Sequence, residues 1–524
     1  MDNIEIARCL KILNTRPKWF FQKENIDDKL ECFDTLHQTG TPNIIYALIG
    51  FLRNDNTLIQ AKAAKTILLL FTKLRSLNDY ADALKHLPIE RRDLDFYRAH
   101  FDEATYIQLL GIASFNRNGH VRETAVIELS RLKNADGLKF ILFRLGDWVE
   151  EVRKVANEAV FSFLDEAFID AWLMQLPVIN WLQEVKRVDL REVHNRILQF
   201  IINRDFSEDF AQRIERFDDR TRFLFYKRFL IGKSPNRQQL FRIATDKSFL
   251  VRAELIKHIT LFEHATQKEL IARFLRDRSA TVRLKALYES KPFSPAFDQE
   301  IDALLSDEAA SVRELSRSLL KQGGRDFAQR YRQRLAAKQL LSGSLLGLSE
   351  TGSEQDLPIF EQNIQAKSNK LVVASLIAVN RFDAETAKRY GLDLLVHKSS
   401  SVRNKAVEIL AKGTDDRLLE RVRGVYAIGG YETKKSALKI FSTVGGWSVI
   451  GDLLLALGEE NINVQNLAWQ LIRKWMSNAT RLFTTPSRVD IERARLIYDN
   501  LDQSGLRMTD GRQGVFHDLK FYLG

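Results

Sequence analysis

The clearest regularity in this chain is an apolar residue followed by a basic one, returning at a nearly constant interval. Val-Arg pairs stand at Val121-Arg122, Val152-Arg153, Val251-Arg252, Val282-Arg283, Val312-Arg313 and Val402-Arg403, with neighbouring copies 30 or 31 residues apart and the longer gaps near multiples of that. Three residues after the basic position the residue is often small, as at Ala63, Ala125, Ala156, Ala286, Ala406, Ala437 and Ala468. Four further on comes an apolar side chain: Ile67, Leu129, Val160, Leu320 or Leu410. That spacing puts both on one face of an α-helix, the small residue admitting a neighbouring helix and the apolar one filling the layer behind it.

Projecting the period outward tests it. It reaches Ile59-Gln60 in NDNTLIQAKAAKTILLL, then Thr433-Lys434 and Val464-Gln465, and Leu190-Arg191, Thr221-Arg222 and Val372 fit as degenerate copies. Fixed-period self-similarity of this length predicts stacked supersecondary units, each unable to bury its apolar face alone. About a dozen or more antiparallel helix pairs and almost no β-structure are expected.

Six residues before four of the arginines stands an aspartate: Asp147, Asp246, Asp277 and Asp307. Placed in the turn ahead of a helix, it can accept hydrogen bonds from unpaired N–H groups at the helix start, worth about 1 kcal/mol, and can meet an arginine of an adjacent repeat. The motif arginines are therefore read as members of a polar ladder along the stack. Segments such as DRSATVRLKALYES and DEAASVRELSRSLL resemble HEAT repeats of the short, phycobilin-lyase-like class over most of residues 50 to 475. The resemblance implies an all-α, HEAT-like α-solenoid with a period of about 31 residues. The family's proline after the turn aspartate is missing here.

Two places interrupt the period. From Phe163 to Arg187 the motif spacing stretches, and Pro177 stands between Trp172 and Trp181; at Leu341 to Ser353, LSGSLLGLSETGS suggests a loosened turn or hinge. The expected organisation is an N-terminal helical cap over 1–50, a HEAT-like block over 51–186, a basic HEAT-like block over 187–340, a third block over 341–475 and a C-terminal cap over 476–524.

Charge sharpens the middle block. Lys and Arg number 23 against 26 Asp and Glu in residues 1–185, but 23 against 13 in residues 186–286, so most of the net +11 lies in the latter. Basic residues outside the ladder phase are the candidate contacts for an anion or partner: Lys227, Arg228, Arg237, Arg242, Lys257, Arg273, Arg276, Arg278 and Lys285. A further basic run, Lys321, Arg325, Arg330, Arg332, Arg334 and Lys338, faces only Asp326 in its own stretch. Phe217, Phe223, Phe225, Tyr226 and Phe229 alternate with basic residues, a pattern that suits stacking on single-stranded nucleic acid but suits a helix core better.

Chemistry-bearing motifs are scarce. Cys9 and Cys32 give no disulfide framework and no metal spacing; His258 and His264, the closest histidine pair, are six apart, which is poor for one helix face. Repeat-built iron hydroxylases resemble this architecture but use His-Glu dipeptides, of which the sequence has none. Trp172, Trp181 and Asp170 imitate the tryptophan and acid of HEAT-like DNA glycosylases only loosely. No phosphate loop, nucleophile elbow or paired catalytic carboxylate motif is evident.

The reading is therefore a non-enzymatic scaffold without cofactor or metal, binding a protein partner on its concave face, as a subunit of a larger assembly. The alternative is a DNA- or RNA-binding solenoid that engages the phosphate backbone through the central basic block, as in a repair or defence complex. Two cysteines, no apolar N-terminal leader and no long apolar run point to a cytoplasmic protein without membrane insertion.

Overall fold

The computed structural model describes residues 2–15, 25–204, 207–321, 324–479, 487–501, 506 and 510–523. Among them there is no strand, and α-helices follow one another from Asp2–Leu13 to Asp510–Leu523. The chain divides into two compact units, Met1–Gln267 and Lys268–Gly524.

In the first unit the helices Gly119–Leu132 and Glu150–Ser162 lie side by side, with Leu138–Arg144 packed on both. Connections of a few residues force the chain to double back between successive helices, which gives antiparallel pairs. The second unit repeats the scheme with Asn369–Phe382, Ala384–Leu394 and Ser400–Leu410. The small and apolar positions of the motif meet at these contacts: Ala125, Ala156, Ala286, Ala406 and the apolar Leu129, Val160 and Leu410 are all buried. Each unit is thus a HEAT-like α-solenoid of stacked helix pairs.

Arg122, Arg222, Arg283, Arg313 and Arg403 are structural, and each of these five motif arginines holds two repeats at once. Arg122 donates from Nε and Nη2 to the two carboxylate oxygens of Asp147 at 2.9 and 2.6 Å, and from Nη1 to the carbonyls of Asn116 and Arg117 ahead of its own helix. Arg222 pairs in the same way with Asp246, and Arg283 with Asp307. The arginine six residues after each aspartate takes that aspartate's backbone carbonyl instead: Arg153 on Asp147 at 2.9 Å, Arg252 on Asp246 at 2.6 Å and Arg313 on Asp307 at 2.6 Å. So the carboxylate serves the preceding repeat and the carbonyl its own.

The aspartate does not cap the helix directly. Its Oδ1 accepts from the N–H two residues on, Val149, Ser248, Ser279 and Ala309, and these are the N-cap residues. The carboxylate closes a side-chain turn that sets the entry to the helix, the local bonding at which aspartate excels.

The projected copies keep parts of this device. Lys434 reaches Glu459 at 2.6 Å, 25 residues on, as Arg122 reaches Asp147. Gln60 donates to the carbonyl of Leu52 and Gln465 to that of Glu459, so glutamine keeps the backbone bond. Arg191 departs from the scheme: it is exposed and bonds Asp189.

Residues 341–353, expected as a loosened turn or hinge, instead contain the helix Leu341–Thr351. Its glycines are there for close approach. A Cβ on Gly343 would sit 1.7 Å from the Ser306 carbonyl oxygen, and one on Gly347 2.3 Å from the Tyr331 ring. Ser306 and Ser344 hydroxyls meet at 2.9 Å, and Arg313 and Arg317 both bind Glu350 from the same helix. The other interruption is also helical, with Ile169–Met174 and Leu176–Trp181 joined at Gln175, and with Pro177 in the first turn of the second.

Candidate partner-binding surfaces

The nine candidate basic residues do not fall on one unit. Lys227, Arg228, Arg237, Arg242 and Lys257 belong to the first, and Arg273, Arg276, Arg278 and Lys285 to the second. Arg242 is largely buried and binds Glu208 and Glu215 at 2.6 and 2.8 Å; hydrogen bonding to Glu208, set against burial, lifts its guanidinium above the usual value. Arg228 donates to Gln183, Lys227 lies over the Phe223 ring, Arg237 over Phe241 and Lys257 beside Glu254. In the second unit Arg276, well exposed, pairs with Glu300. Arg273 closes the helix His264–Phe274, Arg278 follows the turn aspartate Asp277, and Lys285 lies in Ala280–Ser290.

The second basic run is answered by acids from outside its own stretch. Arg330 and Arg334 both bind Asp302 at 2.7 Å, and Arg332 holds Asp356 at 2.8 Å. The aromatic stretch is core: Phe225, Tyr226 and Phe229 are buried, with Phe225 stacked on Phe229. Trp172, fully buried, donates to the Phe163 carbonyl at 2.7 Å, which removes it from any base-stacking role. His258 contacts Glu254, and no three metal-ligating side chains gather among the described residues. No helix among them is long and apolar enough to cross a membrane.

One cationic site escaped the charge count, because all of it except Lys186 and Arg187 lies in the net-acidic part of the sequence. In the first unit the turn 144–149 opens into a depression of about 950 Å³. Its floor is a buried triad in which Asp147 accepts from both Arg122 and Arg144, the latter at 3.0 Å, while the Arg144 Nε–H has no acceptor. Two guanidinium groups thus share one carboxylate. Burial pulls the Arg144 guanidinium down to about 10, opposed by Asp147 and helped by the positive Arg122 and Arg187. Arg144 also lies over the Phe115 ring at 4.6 Å.

The rim carries Lys85, Arg117, Lys186 and Arg187, all exposed and none in an ion pair among the described residues. Trp148 is 79% exposed, with the Arg187 guanidinium 3.8 Å over its ring. Trp181 and Val185, from the interrupted stretch, close one side against Gly146, where a Cβ would meet Val185 at 3.1 Å. A second depression of about 710 Å³ shares Lys186 and Arg187 and contains buried His194, whose Nε2 has no partner. Burial, then the charge of Arg228, holds that imidazole below its ordinary value. A signal for the first site existed in the sequence. Three residues before the turn aspartate the other copies carry Ile243, Phe274 and Leu304, whereas this one carries Arg144.

No protein-family model and no curated protein sequence matches the chain. Among solved structures it is similar to the karyopherin Kap121p bound to the extreme C-terminus of the protein phosphatase Cdc14p, at 11% identity over 90% of this chain and 61% of that one, with a TM-score of 0.30. It is also similar to the S. pombe condensin Cnd3-Cnd2 subcomplex, at 13% identity over 95% and 73% with a TM-score of 0.28, and to importin beta, at 11% over 95% and 74% with 0.27. The chain thus spans about three fifths of the length of Kap121p. The fold assignment rests on the helix pairs and their ladder: both units are HEAT-like α-solenoids.

Proposed function

We propose that this chain is a non-enzymatic scaffold that holds a protein partner along its repeats and works as a subunit of a larger assembly. The observation that carries this reading is the exposure of large apolar side chains at the turns between helices and at the helix ends beside them. Trp148, Phe249 and Leu250 stand there in the first unit, and Val396 and Ile428 in the second, the last 88% exposed. A large exposed apolar side chain, Trp above all, is what an interface uses as an anchor. The test is photo-crosslinking from Trp148, Val396 and Ile428, each replaced by a photoreactive residue, in cells. Crosslinks to one recurrent protein support the reading; none from any of the three positions would remove it.

The alternative, nucleic acid held by the phosphate backbone, is favoured by the 23 basic against 13 acidic residues in 186–286. Each phosphate neutralised on duplex DNA contributes about −0.9 to the slope of log affinity against log salt. Replacing Lys227, Arg228, Arg237 and Arg242 together would then lower affinity and flatten that slope. Arg242 contributes least, since two carboxylates already hold it.

A further inference from the structure

We propose that the depression at the 144–149 turn is a docking site for a short acidic peptide of the protein partner, one carrying several carboxylates around an aromatic or aliphatic side chain. The proposal rests on the scaffold reading and names the chemistry of one contact within it. Three observations carry it.

The first is charge. Six cationic side chains line the depression, Lys85, Arg117, Arg122, Arg144, Lys186 and Arg187, against Asp147 and Glu184. At the floor the single buried Asp147 carboxylate is shared by two arginines, which leaves a positive charge in low dielectric without its counter-ion. A buried charge short of a partner is costly, and a carboxylate arriving from outside relieves it.

The second is the wall. Trp148, mostly exposed, forms a flat apolar surface braced by Arg187, and the Trp181 edge lies against the Phe143 ring at 5.8 Å. Apolar walls with a few fixed charges are the ordinary composition of a ligand pocket, and about 950 Å³ is at the upper end of the usual range. The wall gives an apolar side chain a seat between the carboxylate contacts.

The third bears on the class of ligand. The cations line a bounded depression of about 950 Å³, with Arg144 at its floor and the Trp148 ring on its wall. A short segment that carries an apolar side chain among carboxylates fits such a hollow, whereas a long phosphate backbone is held along an extended cationic track.

The experiment is isothermal titration calorimetry of the full chain with a glutamate-rich peptide carrying a central phenylalanine, both termini blocked, at low ionic strength. Binding is expected, weakened about tenfold or more by Lys85→Glu/Arg117→Glu and by Arg187→Glu. Trp148→Ala should weaken it as well, and Lys65→Glu, on an exposed helix face outside the depression, should not. Melting curves of each variant separate loss of the site from loss of the fold. The proposal is overturned by a parent protein that does not bind, by equal binding of a glutamine-for-glutamate peptide, or by an oligothymidylate that binds more tightly with the same variant sensitivity. If the peptide fails while photo-crosslinks still form at Val396 or Ile428, the site is wrong and the scaffold reading stands.

Discussion

The turns at Asp147 and Asp307 share a backbone and differ in purpose. In both, Oδ1 accepts from the N–H two residues on, the preceding repeat's arginine grips both carboxylate oxygens, and the following arginine takes the carbonyl. At Asp307 the position three residues earlier is Leu304, and the residue after the aspartate is Glu308, ion-paired with Lys370. At Asp147 these are Arg144 and Trp148. Two substitutions on one chassis turn a closed, neutral joint into a cationic hollow with an exposed indole. The repeat supplies the geometry, and the positions that the geometry does not need are free to acquire chemistry.

Removing the shared carboxylates breaks the comparison most strongly. Asp147→Ala strands two largely buried guanidinium groups and should cost about 3 to 5 kcal/mol in urea unfolding. Asp307→Ala strands only Arg283 and should cost less, about 2 kcal/mol. Equal losses would mean that Arg144 is not part of the buried triad. Next come the arginines: Arg283→Ala and Arg313→Ala should each lose about 2 kcal/mol, against about 0.5 kcal/mol for Lys257→Ala and Lys285→Ala, read as melting shifts.

Acid titration tests the same carboxylates more gently. Burial pushes the Asp147 carboxyl up, but the hydrogen bonds of Arg122 and the charge of Arg144 outweigh it and leave it below its ordinary value. Burial likewise pushes the Glu350 carboxyl up, and the hydrogen bonds and charges of Arg313 and Arg317 outweigh it and leave it below its ordinary value. A depressed carboxyl contributes stability that is complete above its unfolded value, near about 4, and is lost as pH falls through the folded one. Stability of the parent should therefore drop more steeply below about pH 4 than that of Asp147→Asn or Glu350→Gln.

Arg144→Leu sharpens the comparison from the other side, since it installs the residue type of the Asp307 turn. Stability should change by no more than about 1 kcal/mol, toward stabilisation, because a buried excess cation is removed while Asp147 keeps Arg122. The smallest effect belongs to Trp148→Ala, expected within about 0.5 kcal/mol by thermal melting because the ring is mostly in water.

How far the sequence discloses this molecule depends on whether a feature is periodic. The helix faces, the arginine phase and even Gln60 and Lys434 were legible because each sits at a fixed interval from its neighbours. The partners of Arg313 and Arg403 were not: Glu350 and Glu432 lie 37 and 29 residues on, off the spacing that links Arg283 to Asp307. Gly343 and Gly347 read locally as loose chain, and only the Ser306 carbonyl and the Tyr331 ring reveal them as contact points. The cationic hollow draws on residues near 85, 117, 144 and 187, four separate stretches that no window of sequence unites. A charge tally averages such a cluster away.

Glutamine at positions 60 and 465 carries one further consequence. An arginine such as Arg122 or Arg283 bonds two repeats, its own turn and the next repeat's carboxylate, so it couples the opening of one to the opening of the other. Gln60 and Gln465, like Arg153, bond carbonyls upstream of themselves, and their side chains make no bond to a following repeat among those the structure shows. In a one-dimensional stack, cooperativity lives in such neighbour terms. Within each unit, then, these two repeats are weak links in the chain of coupling, and amide exchange there should follow local unzipping rather than the concerted unfolding of the arginine-linked repeats.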